Sequence, residues 1–264
     1  MYSFNYQKPA TLDDALKAIA AAEDGKFLAG GQTLIPTMKQ RLAQPSDVID
    51  ISGISDLSGI RRDGDNIVVG AMTRHAEVAA SDAVKSAIPA LAALAEAIGD
   101  PQVRNRGTLG GSIANADPAA DYPAAIVGLG ATVTTNTRSI PGDDFFTDLF
   151  ETALEENELV TSVSFPVPDK AAYAKFENPA SRYAIVGVMV SSGSAGVRVA
   201  VTGAGASVFR VEAMETALSD DFSPQAVAGI RVPADGLNAD IHASAEYRAH
   251  LVTIMAKRAV AAAA

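Results

Sequence analysis

The stretch TLGGSIANADPAAD, Thr108 to Asp121, places two adjacent glycines, a turn-prone Asn-Ala-Asp-Pro run and an isolated acid within one short segment. Packing alone rarely asks for that combination. Adjacent glycines permit positive φ angles and let another molecule approach main-chain N–H groups with no Cβ between. Phosphate is the usual ligand of such amides. A second pair lies upstream in LAGGQTLIPTMK, Leu28 to Lys39, again between a strand-like run and a helix-like one. Two such loops suit the two ends of one long anionic ligand. Neither spells the Gly-x-Gly-x-x-Gly dinucleotide fingerprint or the Walker pattern, which disfavours a classical Rossmann domain. For either pair alone a tight turn is the simpler reading. Their shared neighbours, Gln32 and Thr33 in one and Thr108, Ser112 and Asn115 in the other, add neutral donors for a pyrophosphate. A helix N-terminus holds an anion without Lys or Arg.

Outward from these loops, the pattern predicts a strand in Tyr2 to Pro9, a helix from Thr11 that Gly25 ends, a strand over Lys26 to Ala29, a helix over Leu34 to Leu42 and a strand over Asp47 to Ile51. That is a β-α-β-α-β lobe, residues 1–55. Gly59 to Ala71 reads as a hairpin about Asp63-Gly64, a short helix starts at Thr73, and Val84 to Ile98 reads as one longer buried helix. A helix over Tyr122 to Leu129 and strands over Ala131 to Asn136 and Leu159 to Phe165 complete a second lobe, residues 56–168. Ala172 to Phe176, Ala184 to Ser191 and Gly196 to Val201 predict a three-stranded antiparallel sheet. Helices at Val211 to Leu218 and Ser244 to Ala262 close a third lobe, residues 169–264.

The 264 residues, 48% hydrophobic and 20% charged, suit a globular protein with a sizeable core. No apolar run approaches the roughly 20 residues of a membrane span. The N-terminus lacks the basic and apolar regions of a signal peptide, so the expected location is cytoplasmic. A net charge of -10 without a Lys/Arg cluster argues against nucleic acid. With no cysteine the chain supplies no thiolate, so any metal centre belongs to a partner. There is no Gly-x-Ser-x-Gly elbow, and His75, His242 and His250 lack ligand spacing. His75, following Thr73-Arg74 at a helix start, could face a ligand, though a structural or solvent role is the simpler reading.

Four segments, LAGGQTLIPTMK, VGAMTRHAEVA, PQVRNRGTLGGSIANADPAADYPAA and YAKFENPASRYAIVGV, resemble in order and spacing the FAD-binding medium subunit of molybdenum hydroxylases, the carbon monoxide dehydrogenase and xanthine dehydrogenase group. The resemblance covers nearly the whole chain. It implies an α+β architecture, a PCMH-type FAD-binding fold of two α/β subdomains followed by a C-terminal α+β domain. Noncovalent FAD is the implied cofactor. Iron-sulfur clusters and the molybdenum cofactor are implied only on partners, a small iron-sulfur subunit and a large molybdenum subunit, in a dimer of heterotrimers.

Carried across by position, the resemblance implies that Ala29, Gly30, Gly31, Gln32, Thr33 and Leu34 form the first FAD loop and Thr108, Leu109, Gly110, Gly111 and Ser112 the second. Ser112 stands where the family's loop has Asn. Asp121 matches an acid that hydrogen-bonds the cofactor, Ile98 a residue packing on the isoalloxazine, Val160 a residue lining its pocket, and Lys175 a base at its polar edge. Tyr183 falls where related proteins carry a mobile segment over the flavin, though a strand-start aromatic packing on the core fits it as well. The implied role is an electron relay, from iron-sulfur clusters through FAD to an external acceptor. A free-standing flavin oxidoreductase and a noncatalytic nucleotide- or phosphate-binding module are the competing readings of the same loops.

Overall fold

The computed structural model describes residues 1–263. At the N-terminus, Asp47–Asp50 is the central strand of a three-stranded parallel sheet, flanked by Asn5–Gln7 and Gly25–Leu28. Thr11 caps the helix Leu12–Ala20, its hydroxyl accepting from the Asp14 amide at 3.2 Å, and Ala15 and Ile19 carry the helix onto the sheet. Gly25 does not end this helix as expected; it opens the next strand. A Cβ on Gly25 would lie 2.6 Å from Ile19 Cδ1 and 2.9 Å from Ala22 Cβ, so the strand starts in close contact with the helix and the turn that follows it.

The middle of the chain builds a five-stranded antiparallel sheet in the order Ile60–Asp63, Asn66–Gly70, Val160–Pro166, Thr132–Thr135, Ser139–Pro141. The expected hairpin at Asp63-Gly64 joins its first two strands. The expected single helix over Val84 to Ile98 is instead two, Asp82–Ala87 and Pro89–Glu96. Ile88 between them has φ -138° and ψ 71°, because a residue before proline is sterically pushed out of the helical region. Leu91, Leu94, Leu109, Ile113, Tyr122, Phe145 and Phe165 meet in the central core.

The C-terminal sheet has four antiparallel strands, Lys170–Glu177, Ala184–Gly193, Gly196–Thr202 and Phe209–Arg210, rather than the expected three. The added strand is two residues long, too short to display an alternating pattern. Glu212–Asp220 and Ala245–Ala263 cover the sheet through Met214, Leu218, Val252 and Met255.

Polar side chains fasten this sheet to the segment around Tyr122–Gly128. Ser191 Oγ donates to Gly128 O at 2.6 Å, Arg198 Nε to Val127 O at 2.7 Å, and Thr202 Oγ1 to Ala120 O at 2.6 Å. Met189 leaves its own sheet for the central core, where a Cβ on Gly128 would come within 2.6 Å of its Cγ. The strand Lys170–Glu177 is thereby held against Asp121, on the border of the cavity described next.

Candidate functional site

The first glycine loop follows the strand Gly25–Leu28 and precedes the short helix Leu34–Lys39. Its two glycines answer different demands. Gly31 has φ +72°, the left-handed region. Gly30 has an ordinary backbone, but a Cβ there would sit 2.2 Å from the Arg106 carbonyl oxygen. The N–H groups of Gly30, Gly31, Gln32, Thr33 and Leu34 have no protein acceptor among the described residues. Such a run of free amides at the edge of a cavity is an anion cradle.

The second loop works differently. Thr108 caps the helix Leu109–Asn115, its Oγ1 accepting from Gly111 N at 3.2 Å. Leu109 N donates to Thr73 O, Gly110 N to Ala71 O and Ser112 N to Thr108 O, at 2.8–3.1 Å. These amides are therefore consumed within the fold, and the expectation of two equivalent amide cradles gives way to one. What the second pair provides is closeness. A Cβ on Gly110 would lie 2.6 Å from Ala71 Cβ, and one on Gly111 would lie 2.9 Å from Thr108 Oγ1 and 3.4 Å from Ala29 Cβ, so the two loops meet.

Between them opens a cavity of about 490 Å³, within the range of small-molecule and cofactor sites. All the residues expected to hold the cofactor line it except Leu109 and Lys175. Leu109 is fully buried in the central core and its amide is taken, so neither end of it faces a ligand. Lys175 stands behind the wall: Nζ donates to Ala97 O at 2.7 Å, to Arg182 O at 2.8 Å and to Asp121 Oδ2 at 3.2 Å. It does not present its ammonium to the cavity at a flavin edge. It ties the end of Pro89–Glu96, Asp121 and the turn before Tyr183 together.

Asp121 lines the cavity while almost fully buried. Tyr173 Oη donates to its Oδ1 at 2.5 Å. Burial pushes its carboxyl above the usual range, and the neighbouring Lys175 and Tyr173 pull it back. Each oxygen thus already accepts from the protein, leaving second lone pairs for a ligand. Tyr183 is 47% exposed at the rim, so the alternative of a core-packed aromatic does not hold.

Several lining residues carried no sequence signal. Ile51, Met72, Leu154 and Leu159 join Ile98 and Val160 in giving part of the wall an apolar surface. Asp117 also lines it, with burial raising its carboxyl and the Ala119 amide opposing that. His75 is at the cavity too, yet buried. Burial first, and the Arg104 charge second, lower its pKa to about 4, so it is neutral at physiological pH. Its Nδ1 has no partner among the described residues, nor does Oη of Tyr122, whose ring lies 5.3 Å away. The helix-start position allows a ligand-facing His75, which the cavity lining agrees with, but nothing local signals its burial. Glu158, held well below the usual carboxylate range by Arg138, braces the same wall through Thr135 and Thr137. No group of His, Asp and Glu able to hold a metal occurs among the described residues.

A cradle of five amides beside an apolar-walled cavity fits a ligand with an anionic centre and a flat apolar end. FAD is such a ligand. The family model for the FAD binding domain in molybdopterin dehydrogenase matches residues 2–168. The chain belongs to this family. Over 98% of its length it is 37% identical to the nicotine 6-hydroxylase medium subunit of Paenarthrobacter nicotinovorans, covering 96% of that subunit. It is 36% identical, with the same coverages, to the carbon monoxide dehydrogenase medium chain of Hydrogenophaga pseudoflava. Among solved structures, carbon monoxide dehydrogenase from H. pseudoflava lacking the Mo-pyranopterin moiety superposes with a TM-score of 0.90 at 35% identity, over 99% of this chain and 97% of that one. The fold is thus the one the resemblance implied. In this FAD-binding family member, the amide cradle and the apolar wall belong to one continuous site.

Proposed function

We propose that this chain is the FAD-carrying electron-transfer subunit of a molybdenum hydroxylase complex, taking electrons from the iron-sulfur clusters of a partner subunit and delivering them to an external acceptor. The observation that carries this reading is the single cavity joining the Gly30–Leu34 amides to the Ile98, Leu154 and Val160 wall, in a chain alike throughout to medium subunits. When bound, FAD supplies one- and two-electron redox chemistry.

The chain's own residues bind and orient it. Amides of Gly30 to Leu34 hold the pyrophosphate, with Thr33, Thr108, Ser112 and Asn115 as side-chain donors. Ile98, Leu154, Leu159 and Val160 exclude water from the ring, and Tyr183 covers the rim. Asp121 offers a carboxylate oxygen to a polar group of the cofactor, fixed in place by Tyr173 and Lys175. His75, neutral and with a free ring nitrogen, adds no charge that would compete for the anion.

The organisation into units 1–55, 56–168 and 169–264 belongs to this reading, supported by three clusters of buried apolar residues each centred on one unit, with Leu57, Met72 and Leu159 joining the first and Met189 the second. So does assembly with a small iron-sulfur subunit and a large molybdenum subunit as a dimer of heterotrimers in the cytoplasm. No helix among the described residues is long and apolar enough to cross a membrane. Purification of the native complex, with identification of co-eluting chains and bound flavin, tests the whole reading. Absence of flavin, or of iron-sulfur and molybdenum partners, would refute it.

A further inference from the structure

His75 lines the flavin cavity and packs on Tyr122, their ring centroids 5.3 Å apart. His75 is 4% exposed and Tyr122 fully buried. His75 Nδ1 and Tyr122 Oη are both sealed from solvent with no hydrogen-bond partner among the described residues. Buried polar atoms are nearly always paired, so two orphans side by side need a reason.

Of the two ring nitrogens only Nδ1 is sealed in this way. Nε2 lies against Gly107, another residue of the cavity wall, where an added Cβ would fall 2.5 Å from it. The backbone ties the same two residues together, His75 N donating to Gly107 O at 3.0 Å. Gly107 in turn touches the first glycine loop, since a Cβ on Gly30 would lie 2.8 Å from Gly107 Cα. Nε2 therefore borders the first amide of the Gly30 to Leu34 cradle.

The surroundings decide which nitrogen carries the hydrogen. Burial and the Arg104 charge keep the imidazole neutral, so it has one N–H and one bare nitrogen. A hydrogen on Nδ1 would be sealed without an acceptor and would turn the Nε2 lone pair toward the anion. On the Nδ1 side stands Tyr122 Oη, which burial keeps protonated and hence a donor. A bare Nδ1 and a hydrogen on Nε2 suit both neighbours. The nearby cations are committed elsewhere. Arg104 Nη1 donates to Ile98 O and Gly99 O at 3.0 and 3.1 Å, Arg182 Nη1 donates to Gly99 O at 3.3 Å, and Lys26 pairs with Asp24 at 3.1 Å.

We propose that His75 is a cofactor-binding residue, a neutral imidazole whose Nε2–H donates to the pyrophosphate held by the Gly30 to Leu34 amides, with Nδ1 left bare beside Tyr122. The inference rests on the proposed function. A donor of this kind adds a hydrogen bond to the anion without placing a charge in the wall, and hydrogen bonds to charged groups are the stronger ones.

The test uses the complete chain, with its histidine rings labelled with nitrogen-15. Only His75, His242 and His250 are present, and the last two are exposed. At neutral pH, nitrogen NMR is expected to show His75 as the Nε2–H tautomer, with its Nε2 resonance moving when FAD is added to flavin-depleted chain. His75→Leu identifies that resonance by removing it, keeps apolar bulk and deletes the donor. Its Kd for FAD is expected to rise about tenfold or more. His75→Gln, which keeps an N–H at similar reach, should stay within about threefold of wild type. Phosphorus NMR of bound FAD should show pyrophosphate resonances that differ between wild type and His75→Leu.

An Nδ1–H tautomer, a doubly protonated ring or an Nε2 resonance indifferent to FAD overturns the assignment. So do wild-type affinity in His75→Leu, equal loss in the Leu and Gln variants, which marks a purely structural ring, and phosphorus resonances that His75→Leu leaves unmoved. Should His75→Leu fail to fold, the wild-type nitrogen spectra still decide. A wild-type chain that takes up no FAD sinks the proposed function; one that takes it up with His75 unmoved sinks this inference alone.

Discussion

Lys175 Nζ lies 3.1 Å from Asp121 Oδ1, with both side chains buried, and this pair joins the C-terminal sheet to the wall of the flavin cavity. Removing one member leaves the other charged and desolvated. Lys175→Met is expected to cost about 3 kcal/mol of stability and to free the turn that Lys175 holds through Arg182 O. Denaturant unfolding measures the first effect. The double variant Lys175→Met/Asp121→Asn should recover much of the loss, since the uncompensated carboxylate is then gone; no recovery would mean that the lysine's carbonyl contacts, not the ion pair, carry its contribution.

His75 gives the fold a defined pH dependence. Its folded pKa of about 4 lies below the unfolded value of 6.5, so the unfolded chain takes up the proton first as pH falls. The stability this neutral histidine contributes is complete above pH 6.5 and is lost as pH drops toward 4. The full change is about 3 kcal/mol. Relative to His75→Gln, whatever their offset at neutral pH, wild type should lose about 3 kcal/mol of unfolding free energy as pH falls from 6.5 to 4. Parallel curves would contradict a buried neutral His75.

Thr108 is expected to matter through its cap. Thr108→Ala removes the acceptor for Gly111 N and should lower stability by about 1 kcal/mol, while Thr108→Ser should retain both stability and flavin content. Thermal melts with and without added FAD separate the cap from the ligand contact.

The two glycines of the first loop should respond differently. Gly31→Ala places a side chain at φ +72°, a strain of about 1 kcal/mol, and should leave weakened flavin binding. Gly30→Ala sets a Cβ against a backbone carbonyl that has nowhere to go, and should abolish flavin retention. Equal retention in both variants would contradict the close packing of Gly30 on Arg106.

What the sequence disclosed follows from how local each cause is. The glycine pairs were legible because Gly-Gly between a strand-like and a helix-like run is a short-range signature, and most of the cavity follows from them. Gly30 and Gly110 look like any other glycine in sequence, but their necessity comes from Arg106 and Ala71, neighbours that only folding supplies. The break at Ile88 was locally encoded by Pro89, and hydrophobic periodicity masked it. The hairpin of Phe146–Asp148 and Glu151–Thr152 escaped because its tip, Leu149 and Phe150, carries none of the residues that mark turns. Lys175 reads as a free cation until Ala97 and Arg182 surround it, and the placement of His75 depends on Gly107, whose Cβ would fall 2.5 Å from its Nε2.

The central claim is that the space between the two loops holds FAD. The most direct measurement is the flavin-to-protein ratio of Gly111→Val beside wild type, both purified within the native complex. A valine there projects onto Thr108 Oγ1 and Ala29 Cβ, so wild type should carry stoichiometric FAD and the variant almost none, with circular dichroism unchanged. Stoichiometric FAD in Gly111→Val would contradict the claim and leave the second loop a structural turn.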